Sequence, residues 1–175
     1  MSAPLLPVLE HWRDFYVLLG TAAAALVALL FVAASVGAGI LSGQNTAGTG
    51  MYMSPVVVHF TAVLFVCAVG LVPSHTWGSF GLIVGAGAVA AFIYADVISL
   101  WVLKDRSTDA IDTLAYGVAP ALGYLAAVVA AALFLFGSHR APDVLGGALI
   151  WLLIVNIRNA WDLVLFIVRR HTDGK

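Results

Sequence analysis

Five long apolar runs constrain this chain more than any other feature. They cover residues 15–41, 55–72, 78–103, 112–136 and 144–168. A helix needs about 20 mostly apolar residues to cross the hydrocarbon of a bilayer. Inside hydrocarbon every backbone N–H and C=O must be bonded within its own segment, so runs of this kind become helices. The expected fold class is therefore all-α: one integral membrane domain over 1–175, built as a bundle of five transmembrane helices. The first and fifth runs exceed the minimum and have length to tilt or to extend past the hydrocarbon. Between the runs lie polar or turn-rich connections, "SGQNTAGTGMYMS", "PSHTW", "KDRSTDAI" and "GSHRAPD". Pro55 and Pro142 are expected near the starts of the second and fifth helices, where a missing N–H costs little. No soluble domain, long linker or internal repeat is visible, and an odd number of spans does not divide into two equal halves.

Composition agrees with lipid as the main solvent. The chain is 62% hydrophobic and 10% charged, against about 25% charged in an ordinary soluble domain. Its net charge of -1 gives no electrostatic case for nucleic acid. The single cysteine, Cys67, excludes an intrachain disulfide and a cysteine metal cluster. No cleavable signal pattern is expected: the first apolar run follows Glu10, Arg13 and Asp14 and is too long for a signal core.

Lys and Arg near the helix ends set the direction. Arg13 and Arg140 fall on one side; Lys104, Arg106, Arg169, Arg170 and Lys175 fall on the other. That count places the N-terminus outside and the C-terminus in the cytoplasm. Upstream of the first run, Leu5, Leu6, Val8, Leu9, Trp12, Phe15 and Tyr16 recur at helical spacing, with Glu10, His11, Arg13 and Asp14 largely between them. This suggests a short interfacial helix turning into the first span. The alternative is an irregular apolar leader ending in an aromatic belt.

Polar groups inside the runs are few and gather at one depth. Arg158 lies ten residues from the cytoplasmic end of the fifth helix, about 15 Å in at 1.5 Å per residue. Asp162 is nearer that end, and Asp96, His59 and Tyr116 reach the same inner half from the third, second and fourth helices. At 100° per residue Asn156, Arg158, Asn159 and Asp162 share one broad arc of the fifth helix, opposite Ile150, Leu153, Ile157, Trp161, Val164 and Val168. A buried polar cluster of His59, Asp96, Tyr116, Asn156, Arg158, Asn159 and Asp162 is expected, with Arg158 held by Asp162 and Asp96. The spacing of Gly81 and Gly85, with Gly78, Ala88, Phe92, Asp96 and Ser99 on the same side, lets another helix approach closely. Pro120 removes the hydrogen bond to the Tyr116 carbonyl.

Each of these groups also has a structural role open to it. Arg158 and Asp162 can pair along their own helix, though in this order the pair is the weaker one. The asparagines can join helices, and Asp96 can simply neutralise Arg158. Intramembrane ionisable groups otherwise point to function. His59 suits a bonded histidine better than a ligand, and Gly43, Gly48 and Gly50 suit a flexible connection better than a phosphate cradle.

Much chemistry is missing. His59 is the one histidine inside a run, Glu10 is the one glutamate, and no lysine lies within a span. Haem, di-iron and retinal sites therefore have no ligand set, and "HWRD" offers too few ligands for a metal site. No Ser-His nucleophile, Walker loop or zincin motif is present. No catalytic residue, cofactor or metal is expected.

The segments "DFYVLLGTAAAALVALLFVAAS", "SPVVVHFTAVLFVCAVGLVP" and "IRNAWDLVLFIV" together resemble uncharacterised small polytopic inner-membrane proteins of bacteria. The resemblance covers most of the chain, and "NAWDLV" is its most specific motif. It implies a bacterial inner membrane and brings no activity or ligand. Three functions are then open. One is a non-catalytic, oligomer-forming or accessory membrane subunit, in a homo-oligomer or larger membrane complex. The second is a small ion or proton channel or transporter using Asp96, Arg158 and Asp162. The third, a lipid-modifying membrane enzyme, is disfavoured by the missing motifs. The dry outer halves of the second and fourth runs, "AVLFVCAVGL" and "AAVVAAALFLF", argue against a pore through one protomer.

Overall fold

The computed structural model describes residues 5–40, 47–104 and 117–173. They form six helices and, among the described residues, no strand: α1 (Leu5–His11), α2 (Arg13–Ile40), α3 (Ala47–Gly70), α4 (Trp77–Lys104), α5 (Ala119–Leu135) and α6 (Ala141–Asp173). Three helical stretches are long and apolar enough to cross a membrane: Arg13–Ala33, Trp77–Tyr94 and Ala141–Asp162. Two shorter apolar stretches, Pro55–Gly70 and Ala119–Leu135, accompany them. At 1.5 Å per residue the latter extends about 26 Å, less than the roughly 30 Å of hydrocarbon.

Local signals fix several ends. α4 opens on a reciprocal cap: the Ser79 N–H donates to Thr76 Oγ1 at 3.1 Å, and the Thr76 N–H donates to Ser79 Oγ at 2.9 Å. The arrangement satisfies donors that a helix start leaves open. α5 closes on Gly137, whose φ of 65° suits glycine. The Gly137 N–H donates to the Phe134 carbonyl and the Ser138 N–H to the Leu133 carbonyl, both at 2.9 Å. This pair of bonds terminates the helix in a left-handed turn and starts the return into α6. Pro142 sits in the first turn of α6, as expected.

Two prolines depart from expectation. Pro55 lies inside α3, which begins earlier, at Ala47, so part of the connection "SGQNTAGTGMYMS" is helical. Proline there forfeits its own bond to the carbonyl one turn back and crowds that carbonyl, yet the helix continues through it. Pro120 lies in the first turn of α5, a position that tolerates proline; the Tyr116 carbonyl lies outside the described residues.

The helices meet through small residues. A Cβ on Gly81 would stand 3.0 Å from the Ala131 carbonyl oxygen and 3.1 Å from Phe134 Cβ; on Gly85 it would stand 3.2 Å from Ala131 Cβ. α4 thus lies directly on the backbone of α5. Gly123 of α5 accommodates Leu152 and Trp151 of α6, Gly70 of α3 accommodates the Tyr16 ring of α2, and Gly146 of α6 accommodates Trp12. Alanines 127, 130 and 131, with Phe80 and Phe134 in an edge-to-face contact at 4.8 Å, fill the core between α4, α5 and α6. Leu5 and Leu9 of α1 are buried in the same core, so α1 is anchored by one apolar edge.

These contacts rank three substitutions in α4. Gly81→Ala should destabilise by about 1–3 kcal/mol, the usual range for overpacking, because a backbone oxygen cannot give way. Gly85→Ala should cost less, since it meets only a methyl group, and Gly78→Ala should be neutral or slightly stabilising, since nothing lies within 4 Å of it. Thermal unfolding in detergent reads the order; equal effects of all three would refute the α4–α5 contact.

Candidate functional site

α6 decides which polar groups face inward. Its buried stripe runs through Leu145, Ala148, Leu149, Leu152, Asn156 and Asn159, at the three- and four-residue spacing of one helix face. Asn156 and Asn159 are 0% and 1% exposed. Asn156 donates from Nδ2 to the Leu152 carbonyl at 2.7 Å, and its Oδ1 is buried with no hydrogen-bond partner.

Arg158 and Asp162 leave that stripe, which corrects the expected single arc. Arg158 is one residue, or 100°, away from Asn159, and it emerges near Trp151, Ile154, Ile157 and Trp161 on the exposed face. The two charges pair along α6 at 3.8 Å, with their side chains 54% and 42% exposed. They are therefore not part of a buried cluster within this chain. The Asp96 side chain and the whole of Tyr116 lie outside the described residues, so the expected contact between Arg158 and Asp96 does too.

His59 of α3 is 2% exposed and meets Tyr124 of α5, also 2% exposed. His59 Nδ1 and the Tyr124 hydroxyl are 2.5 Å apart, and the rings lie 5.4 Å apart at 44°. A neutral imidazole makes this bond in either tautomer, as acceptor from the hydroxyl or as donor to it. Both residues stand the same number of residues from the ends of their helices, at Gly70 and Leu135. That places the bond about 16 Å from those ends. The interior polar groups thus form a layer: the His59–Tyr124 bond, then Asn156 and Asn159 further along α6.

Sequence reasoning missed Tyr124. Its signal was the matched position of His59 and Tyr124 before the ends of their helices, together with Gly123, whose small size draws α6 close at this level. Tyr124 also forms the floor of an apolar groove of about 400 Å³ between α3 and α4, walled by Thr61, Phe65, Gly87, Ala88 and Ala91.

The layer offers hydrogen bonds and no activated nucleophile. Cys67 is buried as a free thiol against α2, and among the described residues no three His, Cys, Asp or Glu side chains converge as metal ligands. The chain matches no known protein family, no curated protein and no solved structure.

Tyr124→Phe should strand His59 without its partner and cost about 1–3 kcal/mol. The double change His59→Leu with Tyr124→Phe should cost less than the two single changes summed, because both polar partners then leave together. Unfolding in detergent measures the cycle, and strict additivity would mean that the two side chains do not meet.

Proposed function

We propose that this chain is a non-catalytic, multi-pass protein of a bacterial inner membrane, crossing it five times and working as an oligomer-forming or accessory subunit. Its N-terminus lies outside and its C-terminus in the cytoplasm. The shorter apolar stretch of α3 crosses with the help of its own continuation, residues 47–54.

The observation that supports this reading is the outward Arg158–Asp162 pair. Arg158 sits about 25 Å along α6, a helix of 33 residues, and so still within the hydrocarbon or at its inner margin. A charge deep in hydrocarbon costs about 2.5–3.5 kcal/mol on insertion scales, and the 3.8 Å pairing with Asp162 leaves both side chains about half exposed to their surroundings. A second copy covering this face removes the pair from lipid. In a two-fold dimer with its axis along the membrane normal, each Arg158 stands one helical turn from the level of the other copy's Asp162, and the same surface serves both protomers. Ile154, Ile157 and Trp161, at 59%, 45% and 63% exposure, supply the apolar contact around it. The interior layer then serves the fold, with the His59–Tyr124 bond fixing the height of α3 against α5.

A second reading, a small ion or proton transporter, draws on the unpartnered Asn156 Oδ1, an acceptor placed where a passing cation or water would need one. Its other candidates, Asp96, Arg158 and Asp162, would supply charge at the inner end.

Cysteine cross-linking in native membranes separates the readings. In a Cys67→Ser background, Ile154→Cys, Ile157→Cys and Trp161→Cys should give disulfide-linked dimers, whereas Leu152→Cys should not. Adding Arg158→Gln with Asp162→Asn should lower the yield several-fold. Monomers at all three outward positions would refute self-association. Cation or proton flux in liposomes that Asn156→Leu abolishes would favour the transporter. Phosphatase activity from a reporter fused after Lys175, with a dark fluorescent counterpart, would reverse the orientation.

A further inference from the structure

A concave site of about 270 Å³ lies where α1, the start of α2 and the end of α3 meet. Leu6, Leu9 and Glu10 line it from α1 and Arg13 from α2; Leu71 and Val72 close the far side. Two features set it apart from an ordinary surface dent. First, it presents one carboxylate and one guanidinium that do not pair with each other, since the ion pair found among the described residues is Arg158–Asp162. Second, its apolar wall is open: Leu6, Leu71 and Val72 are 39%, 42% and 40% exposed. Arg13 opens the first long apolar helix, and Leu71 and Val72 follow the end of α3 at Gly70, so in a membrane the two charges and the apolar wall stand together at the level of the headgroups and the glycerol.

We propose that this site holds a zwitterionic phospholipid with a primary ammonium headgroup, of the phosphatidylethanolamine type; the proposal rests on the membrane placement above. The lipid's phosphate is a bidentate partner for the Arg13 guanidinium. Its ammonium carries three N–H donors, and Glu10 is the acceptor for them. A quaternary headgroup has no N–H to give and loses that bond. An anionic headgroup has no ammonium to give Glu10 and leaves that carboxylate facing another negative charge, so it is disfavoured. Leu6, Leu71 and Val72 take the glycerol and upper acyl segments. A soluble phosphoamine has the same polar chemistry but leaves this wall bare, so the site is committed to a diacyl lipid.

The test uses the full chain in detergent micelles doped with dioleoyl phosphatidylethanolamine, dioleoyl phosphatidylcholine or dioleoyl phosphatidylglycerol, with retained lipid read by native mass spectrometry. The ethanolamine lipid should be retained about tenfold over the choline lipid, the size of one charge-assisted bond, and over the glycerol lipid as well. Glu10→Gln should bring the first ratio close to one, Arg13→Gln should lower retention of both zwitterionic lipids, and Arg13→Lys should restore part of it. Glu10 and Arg13 are exposed, and gel filtration of each variant confirms that it is folded. Equal retention of ethanolamine and choline lipids by the unaltered chain, or an unchanged preference in Glu10→Gln, overturns the site. Displacement by soluble glycerophosphoethanolamine at the lipid's own concentration overturns the choice of a lipid. Carbonate extraction of cell membranes reads the placement separately: release of the chain overturns the membrane reading, whereas retention without headgroup preference overturns the site alone.

Discussion

The approach of α4 to α5 through Gly81 and Gly85 carries more of this structure than any buried side chain. Much of the bundle's outer face is as apolar as its interior: Leu18, Phe31, Leu82 and Trp161 are all more than 60% exposed, while Leu145, Leu149 and Leu152 are buried. Burial of apolar surface cannot then tell one face from another, and association depends on how closely backbones approach. Glycine and alanine at the crossings let many weak dispersion contacts accumulate at short range. The same economy of size brings Leu152 over Gly123, and so brings α6 to the level of the His59–Tyr124 bond.

That explains which parts of the fold were legible. The helices themselves were, because an apolar run that long has no other way to satisfy its backbone. Their faces were harder to read, because few polar residues mark them. On α6 the asparagines lie on the leucine stripe and face inward, whereas Arg158, a single residue before Asn159, turns out among Ile154, Ile157 and Trp161. A broad arc drawn around four polar residues merged two faces only 100° apart. Pro55 looked like a helix start because proline often marks one, but it lies within α3. The sequence also suggested five spans of full length, while the apolar stretches of α3 and α5 are shorter than the other three. Tyr124 was hidden by its setting: one hydroxyl in an alanine-rich run acquires meaning only when His59 is placed opposite it.

The polar groups now fall into two sets with different surroundings. His59, Tyr124, Asn156 and Asn159 are enclosed within the chain's own bundle. Arg158 and Asp162 stand on the outside and bear on whatever lies against α6. Substitutions in the first set should register mainly as changes in the fold, and in the second as changes in what surrounds the fold. Treating all of them as one cluster would confuse stability with recognition.

The contact of Trp12 with Gly146 bears on the order in which the chain assembles. The turn at Gly137 joins α5 to α6 over a few residues, so that hairpin closes a very short loop. Trp12 and Gly146, in contrast, join the opening of α2 to the first turns of α6 across most of the sequence. Closing a long loop costs more entropy than closing a short one, though the cost grows slowly with length, and contacts distant in sequence are the slower to form. Loop closure alone favours the α5–α6 hairpin over the Trp12 contact, which seats a ring on a glycine that has no side chain to move aside. The N-terminal segment is in this sense the latch of the bundle: a helix of seven residues, with Trp12 just after it, ties the start of the chain to α6.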